Sequence, residues 1–273
     1  KCGVLSKAQQ VHDNLKGRNV VSWSALISGY VEHGHGLEAL NCFERMQNEE
    51  GLYPNVVTFT CILKACAITG AIDKGKEMHD LILCRGLLEK DIVLGNALVD
   101  MYAKCGMFEK AQEVHEKIPV RTIISSNALI AGYAQKGRSH EALDCFYRMQ
   151  CEGLFPDDIT FLCVLNACSQ AGLVDEAEVQ FTNMAKKYGI TPSLEHHTWM
   201  VLIFASVGNF DKGMSVIQTM PTSCDFCPIW HAVLGACRKW GNVELGRLAF
   251  DRVLQLDNTC AAAYVLMSCI YAA

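Results

Sequence analysis

The sequence of 273 residues has little of what marks several special classes of protein. It contains only six prolines and is half apolar, which excludes a proline-rich disordered chain. No apolar run approaches the roughly 20 residues of a membrane-spanning helix. Basic residues do not exceed acidic ones, and the formal net charge is −5. This balance argues against a polybasic nucleic-acid tail or membrane-surface patch, although a local basic stripe stays compatible with it.

Catalytic motifs are also missing. Gly70–Lys76 has the spacing of a phosphate-binding loop, but Glu77 stands where magnesium binding needs Ser or Thr. The segment is also expected to join two helices rather than a strand and a helix. A zinc deaminase requires His-x-Glu together with Cys-x-x-Cys, and no histidine here has Glu two residues later. We therefore predict no enzyme activity and no cofactor in this chain.

The fifteen cysteines do not resemble a disulfide framework, because most lie in helical patterns beside Ala, Leu or Ile. There we expect them to act as small buried apolar residues, which suits a thiol-reducing compartment such as cytosol, stroma or matrix. The cysteines in these helical patterns are Cys42, Cys61, Cys66, Cys145, Cys163, Cys168 and Cys237. A zinc site formed by Cys224, Cys227, His231 and Cys237 is conceivable. We favour a structural role, because Cys237 lies in a recurring core pattern and should face a neighbouring helix.

The chain nearly repeats itself. Glu38–Gln47 returns 103 residues later as Glu141–Gln150, and Thr58–Leu63 returns 102 residues later as Thr160–Leu165. Within that long period, Asn96–Val99 is followed at an offset of 31 by a similar segment. A nested period of this length is typical of helical hairpins, so it predicts a solenoid, usually a binding surface.

Turn residues divide the chain into hairpins. Gly51–Pro54 and Gly153–Pro156 close two units, and Pro119 and Pro221 close two others. A glycine interrupts each unit midway, at positions 34, 70, 106, 137, 172, 208 and 241, where a left-handed turn would fold two helices together. In one unit the helices should cover 21–33 and 37–48. We predict an all-α fold, a right-handed α-solenoid (superhelix) of stacked helix-turn-helix repeats.

The predicted units have unequal lengths. A partial unit over 1–19 precedes units 20–55, 56–91, 92–122, 123–157, 158–193 and 194–225. After these the pattern changes to two further hairpins, over 226–259 and 260–273, the second cut short. The chain opens in the middle of a repeat and stops inside another, so we expect it to be a fragment at both ends.

The order of these units resembles a known family. Asn96–Gly106 resembles the short-unit signature of plant pentatricopeptide-repeat (PPR) proteins of the PLS subclass, and Gly189–His197 resembles the junction of its terminal long and short units. Trp230–Cys237 and Gly241–Gly246 resemble its first C-terminal extension (E-type) motif. The resemblance implies that 20–55 and 123–157 are ordinary (P) units, 56–91 and 158–193 long (L, L2), and 92–122 and 194–225 short (S, S2). It implies a partial short unit at 1–19, a tetratricopeptide-like E1 motif at 226–259 and a truncated E2 motif at 260–273.

The resemblance implies sequence-specific binding of single-stranded RNA in a mitochondrion or chloroplast. Each repeat would read one base with two or three side chains, mostly to select cytidines for conversion to uridine. The deaminase would reside in a missing C-terminal part or in another protein. Implied partners are a deaminase-bearing PPR protein and multiple organellar editing factors, through the long units and extension motifs, and no membrane.

In that family the fifth and last residues of a unit read the base. The resemblance therefore implies the following base-reading pairs: Ser24 with Asn55 (adenine type), Thr60 with Asp91, Asn96 with Thr122 (pyrimidine), Asn127 with Asp157 (uracil type), and Thr198 with Asp225 (guanine type). Leu162, paired with Ser193, cannot hydrogen-bond a base, so unit 158–193 should be nearly indifferent.

Two further sets of residues follow from the resemblance. The second residue of a unit wedges beside the base; here these residues are Val21, Val57, Val93, Ile124 and Ile159, all β-branched. The alternative interpretation is that they only start a helix and pack locally. Lys1 and Lys104 correspond to a phosphate-contacting lysine, whereas Glu32 and Gln135 occupy that position in the ordinary units. With so few cations, RNA affinity should be weak.

The second hypothesis is a protein-interaction scaffold, because the last hairpins resemble tetratricopeptide units, which bind proteins. A role in organellar RNA splicing, stability or translation also remains open. Polar fifth and last residues in phase, as in the Ser24/Asn55 and Asn127/Asp157 pairs, favour an RNA reader. A hybrid would bind RNA through its repeats and partners through its last hairpins.

Overall fold

The computed structural model describes residues 2–220 and 227–272, and over these ranges it contains sixteen α-helices and no strand. Two compact units divide the chain, 1–136 and 137–273. The first contains α1 (Cys2–Asp13), α2 (Val20–Glu32), α3 (Gly36–Asn48), α4 (Val56–Thr69), α5 (Ile72–Cys84), α6 (Ile92–Lys104), α7 (Phe108–Lys117) and α8 (Ile123–Gln135). The second contains α9 (Ser139–Cys151), α10 (Asp158–Ala171), α11 (Val174–Lys186), α12 (Leu194–Ser206), α13 (Phe210–Thr219), α14 (Cys227–Trp240), α15 (Val243–Leu256) and α16 (Ala261–Ala272).

The helices alternate between two kinds. The first helix of each hairpin, called helix A here, is apolar nearly all round, because it packs against its own helix B and against neighbouring A helices. In the first compact unit α6 contacts α4, α7 and α8, and residues 94–99 and 101–103 of α6 are buried. Helix B is amphipathic: in α5 only Gly75, Met78 and Ile82 are buried. In the second compact unit α10, α12, α14 and α16 pack in succession.

Hairpin turns form where the sequence predicts them. The seven mid-unit glycines all have φ between 67° and 78°, a left-handed conformation that side chains disfavour. The first predicted hairpin, 21–33 and 37–48, is found as α2 and α3, each starting one residue earlier. The prediction of an all-α helical-repeat solenoid is confirmed. The hand of the superhelix and the assignment of units to length classes stay predictions.

Cysteine side chains behave largely as expected. All twelve of those that the structure describes are free thiols, and six of the seven named above are buried, with Cys163 half-buried. Burial raises the pKa of the Cys66 and Cys168 thiols to about 12. Cys237 lies in the apolar cluster around Trp230 and Leu234, as its sequence pattern indicates. The side chains of Cys224 and Cys227 lie outside the described residues.

Neither a membrane-spanning helix nor a metal-binding cluster is found in 2–220 and 227–272. None of the sixteen helices is both long enough and apolar enough to cross a bilayer. No group of three or more His, Cys, Asp or Glu side chains in 2–220 and 227–272 is arranged to hold a metal ion. The Gly70–Lys76 segment joins α4 to α5, so it has the helix–helix context that a phosphate-binding loop does not have.

Candidate nucleic-acid interface

From the partial unit 1–19 to unit 158–193, the last residue of each predicted unit is the N-cap of the following helix A. Asn55, Asp91, Thr122 and Asp157 all have extended backbones, and their side chains accept hydrogen bonds from backbone N–H groups in the first turn of the next helix. These bonds satisfy donors that a helix start leaves unpaired. The polar identity of these residues therefore has a structural cause as well as a possible role in reading bases.

A hydroxyl links the fifth and last residues of unit 20–55. The buried Ser24 Oγ lies 2.7 Å from Thr58 Oγ1, which donates to Asn55 Oδ1 at 2.9 Å. The backbone N–H of Thr58 also donates to Asn55 Oδ1, at 2.8 Å. Asn55 is otherwise exposed, and its Nδ2 group has no hydrogen-bond partner among the described residues. The predicted pair is thus brought together with donors still available to a ligand.

In unit 92–122 the fifth and last residues touch directly. Thr122 Oγ1 donates to Asn96 Oδ1 at 2.9 Å. Thr122 also caps α8 in a reciprocal capping box with Ser125. Asn96 is buried in α6, and its amide oxygen is held by the Thr122 hydroxyl of the same unit. The departure from the family pattern at Thr122 is therefore accommodated by a specific contact.

In the long unit 56–91 the fifth and last residues make separate hydrogen bonds. Thr60 is half-buried, and its hydroxyl donates to Val56 O within its own helix at 2.9 Å, while Asp91 accepts from Val93 N at 2.8 Å. In unit 158–193, Ser193 Oγ lies 2.6 Å from His196 Nδ1. The hydroxyl of Thr60 and the carboxylate of Asp91 thus bond within or at the start of their own helices.

The remaining predicted readers are placed individually. Asn127 is buried in α8, and Asp157 accepts from Thr160 N at 2.8 Å and from Thr160 Oγ1 at 2.7 Å. Thr198 donates to Leu194 O at 2.7 Å, within α12. Asp225, its predicted partner, and Lys1, a predicted phosphate contact, lie outside the described residues.

The predicted wedge residues are all exposed. Between 53% and 71% of the surface of each is accessible to solvent in Val21, Val57, Val93, Ile124 and Ile159. Each lies three residues before the fifth residue of its unit, so the two share one face of helix A. Local packing therefore does not account for these apolar side chains.

Few cations accompany this face. Lys104 Nζ lies 2.9 Å from Asp100 Oδ2, one helical turn away on α6, and its side chain is about half exposed. A surface ion pair of this kind is weak, typically below about 1 kcal/mol, so a phosphate could replace the carboxylate. The position equivalent to Lys104 in α2 is Glu32, which accepts a hydrogen bond from Ser28 at 3.2 Å.

The role of the third residue of helix A was not predicted from the sequence. At this position the backbone N–H donates to the N-cap side chain, and the hydroxyl accepts from the N-cap backbone N–H. The four residues are Ser22, Thr58, Ser125 and Thr160. In α12 the residue at this position is His196, whose Nε2 lies 3.0 Å from Asp158 O of α10. Burial lowers the pKa of His196 below its ordinary value. An Asn, Asp or Thr followed three residues later by Ser or Thr, recurring at four unit starts, is the signal that could have found them.

Stacked hairpins with a polar fifth residue and a polar N-cap define a helical-repeat binding protein. Two sequence models of such repeats match: the PPR repeat family over 18–68 and 121–170, and the PPR repeat over 57–87, 96–123 and 159–188. Together the matches cover more than half of the chain. The chain belongs to the pentatricopeptide-repeat family.

Curated relatives from Arabidopsis thaliana are similar along the whole chain. The pentatricopeptide repeat-containing protein CRR2, chloroplastic, is 38% identical over 271 residues, which are 99% of this chain and 41% of that protein. At1g06140, mitochondrial, is 35% identical over 272 residues, which are 100% of this chain and 48% of that protein. The chain therefore spans less than half the length of these two relatives.

A solved structure supports the fold. Pentatricopeptide repeat protein PPR10 of maize, in complex with an 18-nucleotide psaJ RNA element, superposes with a TM-score of 0.71 at 16% identity. The match covers 100% of this chain and 44% of that one. At this identity the likeness shows the helical-repeat fold alone.

Proposed function

We propose that this chain binds single-stranded RNA sequence-specifically, one base per repeat. The observation that carries the proposal is the row of exposed β-branched residues, four of which lie one helical turn from a polar fifth residue. Apolar side chains left in water on the same face as hydrogen-bonding groups suit unstacked bases, which offer both a ring face and polar edges. The family membership and the RNA-bound PPR10 structure support the same function.

The geometry supports reading at units 20–55 and 92–122 most directly. The fifth residue and the N-cap are linked through the Thr58 hydroxyl in unit 20–55 and directly in unit 92–122. This proximity supports joint reading of one nucleotide by the two residues. For Asn127 with Asp157, Thr60 with Asp91, and Thr198 with Asp225, base reading rests on the family pattern. Lys104, and Lys1 in the partial unit, are proposed to contact phosphates.

The biological role that we propose is selection of cytidines for conversion to uridine in an organelle. Relatives named chloroplastic and mitochondrial support an organellar location. The long units, together with α14–α15 and α16 as the proposed extension motifs, would then recruit a deaminase-bearing PPR protein and multiple organellar editing factors. A role in splicing, stability or translation of organellar RNA would use the same base-reading surface.

The test is selection of RNA ligands from a random pool by the 273-residue chain. We expect adenine opposite unit 20–55 and uracil three nucleotides towards the 3′ end. Substitution Asn127→Thr should shift the second preference towards guanine and leave the first unchanged, which makes the adenine position an internal control. Thermal unfolding of the variant checks that the fold is retained.

Two results would contradict the proposal in different ways. Absence of any binding to single-stranded RNA would favour the protein-interaction scaffold. Binding that selects the same bases before and after Asn127→Thr would show that the unit 123–157 pair does not read its base.

A further inference from the structure

Two aromatic side chains stand in solvent at equivalent places in the two compact units. Tyr53 and Phe155 are each 76% exposed, more than any other large apolar side chain in the described residues. They are 102 residues apart, and each is followed by a buried proline and then by the N-cap of a long unit. An exposed ring in one repeat is unremarkable. Recurrence at the same turn in a second repeat indicates a shared use.

A cation ends helix B of the long unit that follows each ring, and it lies over Tyr53 in the first case and over Tyr188 in the second. Arg85, the C-cap of α5, has its guanidinium carbon 5.7 Å from the centre of the Tyr53 ring, and its Nη1 donates to Pro54 O at 3.2 Å. The equivalent residue, 102 positions later, is Lys187, the C-cap of α11. Its Nζ lies 5.0 Å from the centre of the Tyr188 ring.

In the second compact unit these groups surround a concavity. Phe155, Tyr188, Lys187 and Asp157 all line an open depression of about 720 Å³. Tyr188 is fixed in place, because its hydroxyl donates to Gln150 Oε1 at 3.1 Å and its ring packs against Phe161 at 5.4 Å. The depression thus combines a rigid aromatic wall, a free-standing ring, a cation and the N-cap that is proposed to read a base.

We propose that Tyr53 and Phe155 each bind a nucleotide of the RNA by stacking on its base or ribose, with Arg85 and Lys187 at the adjoining phosphate. This inference rests on the proposed function, and it adds a stacking contact outside the fifth, last and second residues. The two sites are three units apart, so they would engage nucleotides three positions apart. Stacking tolerates any base, so these contacts would add affinity without changing specificity.

Charge and register favour RNA over a protein partner at these sites. Each site carries one cation beside an aromatic ring, the combination that binds single-stranded nucleic acid. Each ring also lies two residues before an N-cap that is proposed to read a base. The spacing of the two rings therefore matches that of the proposed base-reading residues. Asp157 and Asp158 line the depression at Phe155 as well, which places the phosphate on the Lys187 side. Their carboxylates could accept hydrogen bonds from base amino groups.

The test is RNA affinity of aromatic variants, measured with the RNA that the chain selects. Phe155→Ala and Tyr53→Ala should each weaken binding by roughly five- to 150-fold, the range for loss of one base–aromatic stack. Phe155→Trp should retain affinity, and its fluorescence should be quenched when RNA binds. Tyr264→Ala, at a 51% exposed aromatic on α16, is the matched control and should leave affinity unchanged.

The outcomes separate this inference from the proposed function. Unchanged affinity in Phe155→Ala and Tyr53→Ala, while Asn127→Thr still shifts base preference, would overturn the stacking sites alone. Loss of a protein partner without loss of RNA affinity would assign the rings to protein docking instead. Failure of the unmodified chain to bind any single-stranded RNA would contradict the proposed function itself.

Discussion

At the scale of single residues, Thr58 joins two functions of the repeat. Its hydroxyl contacts both the buried Ser24 and the N-cap Asn55, so one side chain connects the helix start to the proposed reading pair. Such a buried hydroxyl is stabilising only while all its partners are present, because a partner left unpaired carries the full cost of desolvation.

Substitution Thr58→Val tests this link. Because it strands the Ser24 hydroxyl in the core, we expect the free energy of unfolding to fall by about 1–3 kcal/mol. Thr60→Val is the matched control: its hydroxyl bonds only to its own helix and is half exposed, so its effect should stay below about 1 kcal/mol. Urea unfolding followed by far-ultraviolet circular dichroism measures both. Equal losses in the two variants would contradict the special role of Thr58.

At the scale of helices, His196 couples α12 to α10. It takes the third-residue position in α12, where α2, α4, α8 and α10 have Ser or Thr. Its Nε2 lies near the carbonyl oxygen of Asp158 in the first turn of α10. Burial holds its pKa below the ordinary 6.5, so the folded chain keeps the imidazole neutral. The same direction of shift, with burial as its first cause, holds for His12 and His79.

The pH dependence of stability follows from these shifts. As the pH falls through 6.5, the unfolded chain binds protons before the folded one, so the free energy of unfolding should decrease. Well above that pH, these histidines do not change the free energy of unfolding with pH. His196→Gln, which keeps a polar amide but does not titrate, should reduce the decrease without abolishing it, since His12 and His79 remain. Chemical unfolding at several acidic pH values measures this, and an identical profile in the variant would contradict the assignment.

The helix starts could be read from the sequence, but the contacts between units could not. A polar cap followed by an apolar run marks each start locally, which is why the predicted 21–33 helix differs from α2 by one residue. The bond from Ser24 to Thr58 spans 34 residues and depends on how two helices pack. Likewise, the exposure of Val57 and the cation beside Tyr53 follow from side-chain directions that no local pattern encodes. The reader pairs themselves came from the family pattern.

At the scale of the whole molecule, the mild negative charge limits how strongly RNA can be attracted. A protein that neutralises phosphates releases counterions, so its affinity falls with salt in proportion to the number of cations in contact. The two lysines predicted from the family pattern, Lys1 and Lys104, give a slope of log affinity against log salt of about −1.4 for single strands. Adding Arg85 and Lys187 gives about −2.8.

Fluorescence anisotropy with labelled RNA over a range of salt concentrations measures this slope directly. We expect a value between about −1.4 and −2.8, near the steeper limit if the stacking sites hold phosphates. Arg85→Gln should then make the slope shallower by about 0.7. A slope steeper than about −4 would reveal phosphate contacts that the described surface does not account for.

The N-cap position described above restricts how base preference can change. The residue that ends a unit must also serve as the N-cap of the next helix, and only Asn, Asp, Ser, Thr and Gly are favourable N-caps. Replacing one of them with a larger or apolar residue would cost about 0.5–2 kcal/mol of helix stability at that junction. A change of RNA target, in evolution or in redesign, is limited by this requirement. The last residue of a unit can vary only among the few residue types that cap helices well, so wider changes of base preference must come from the fifth residue.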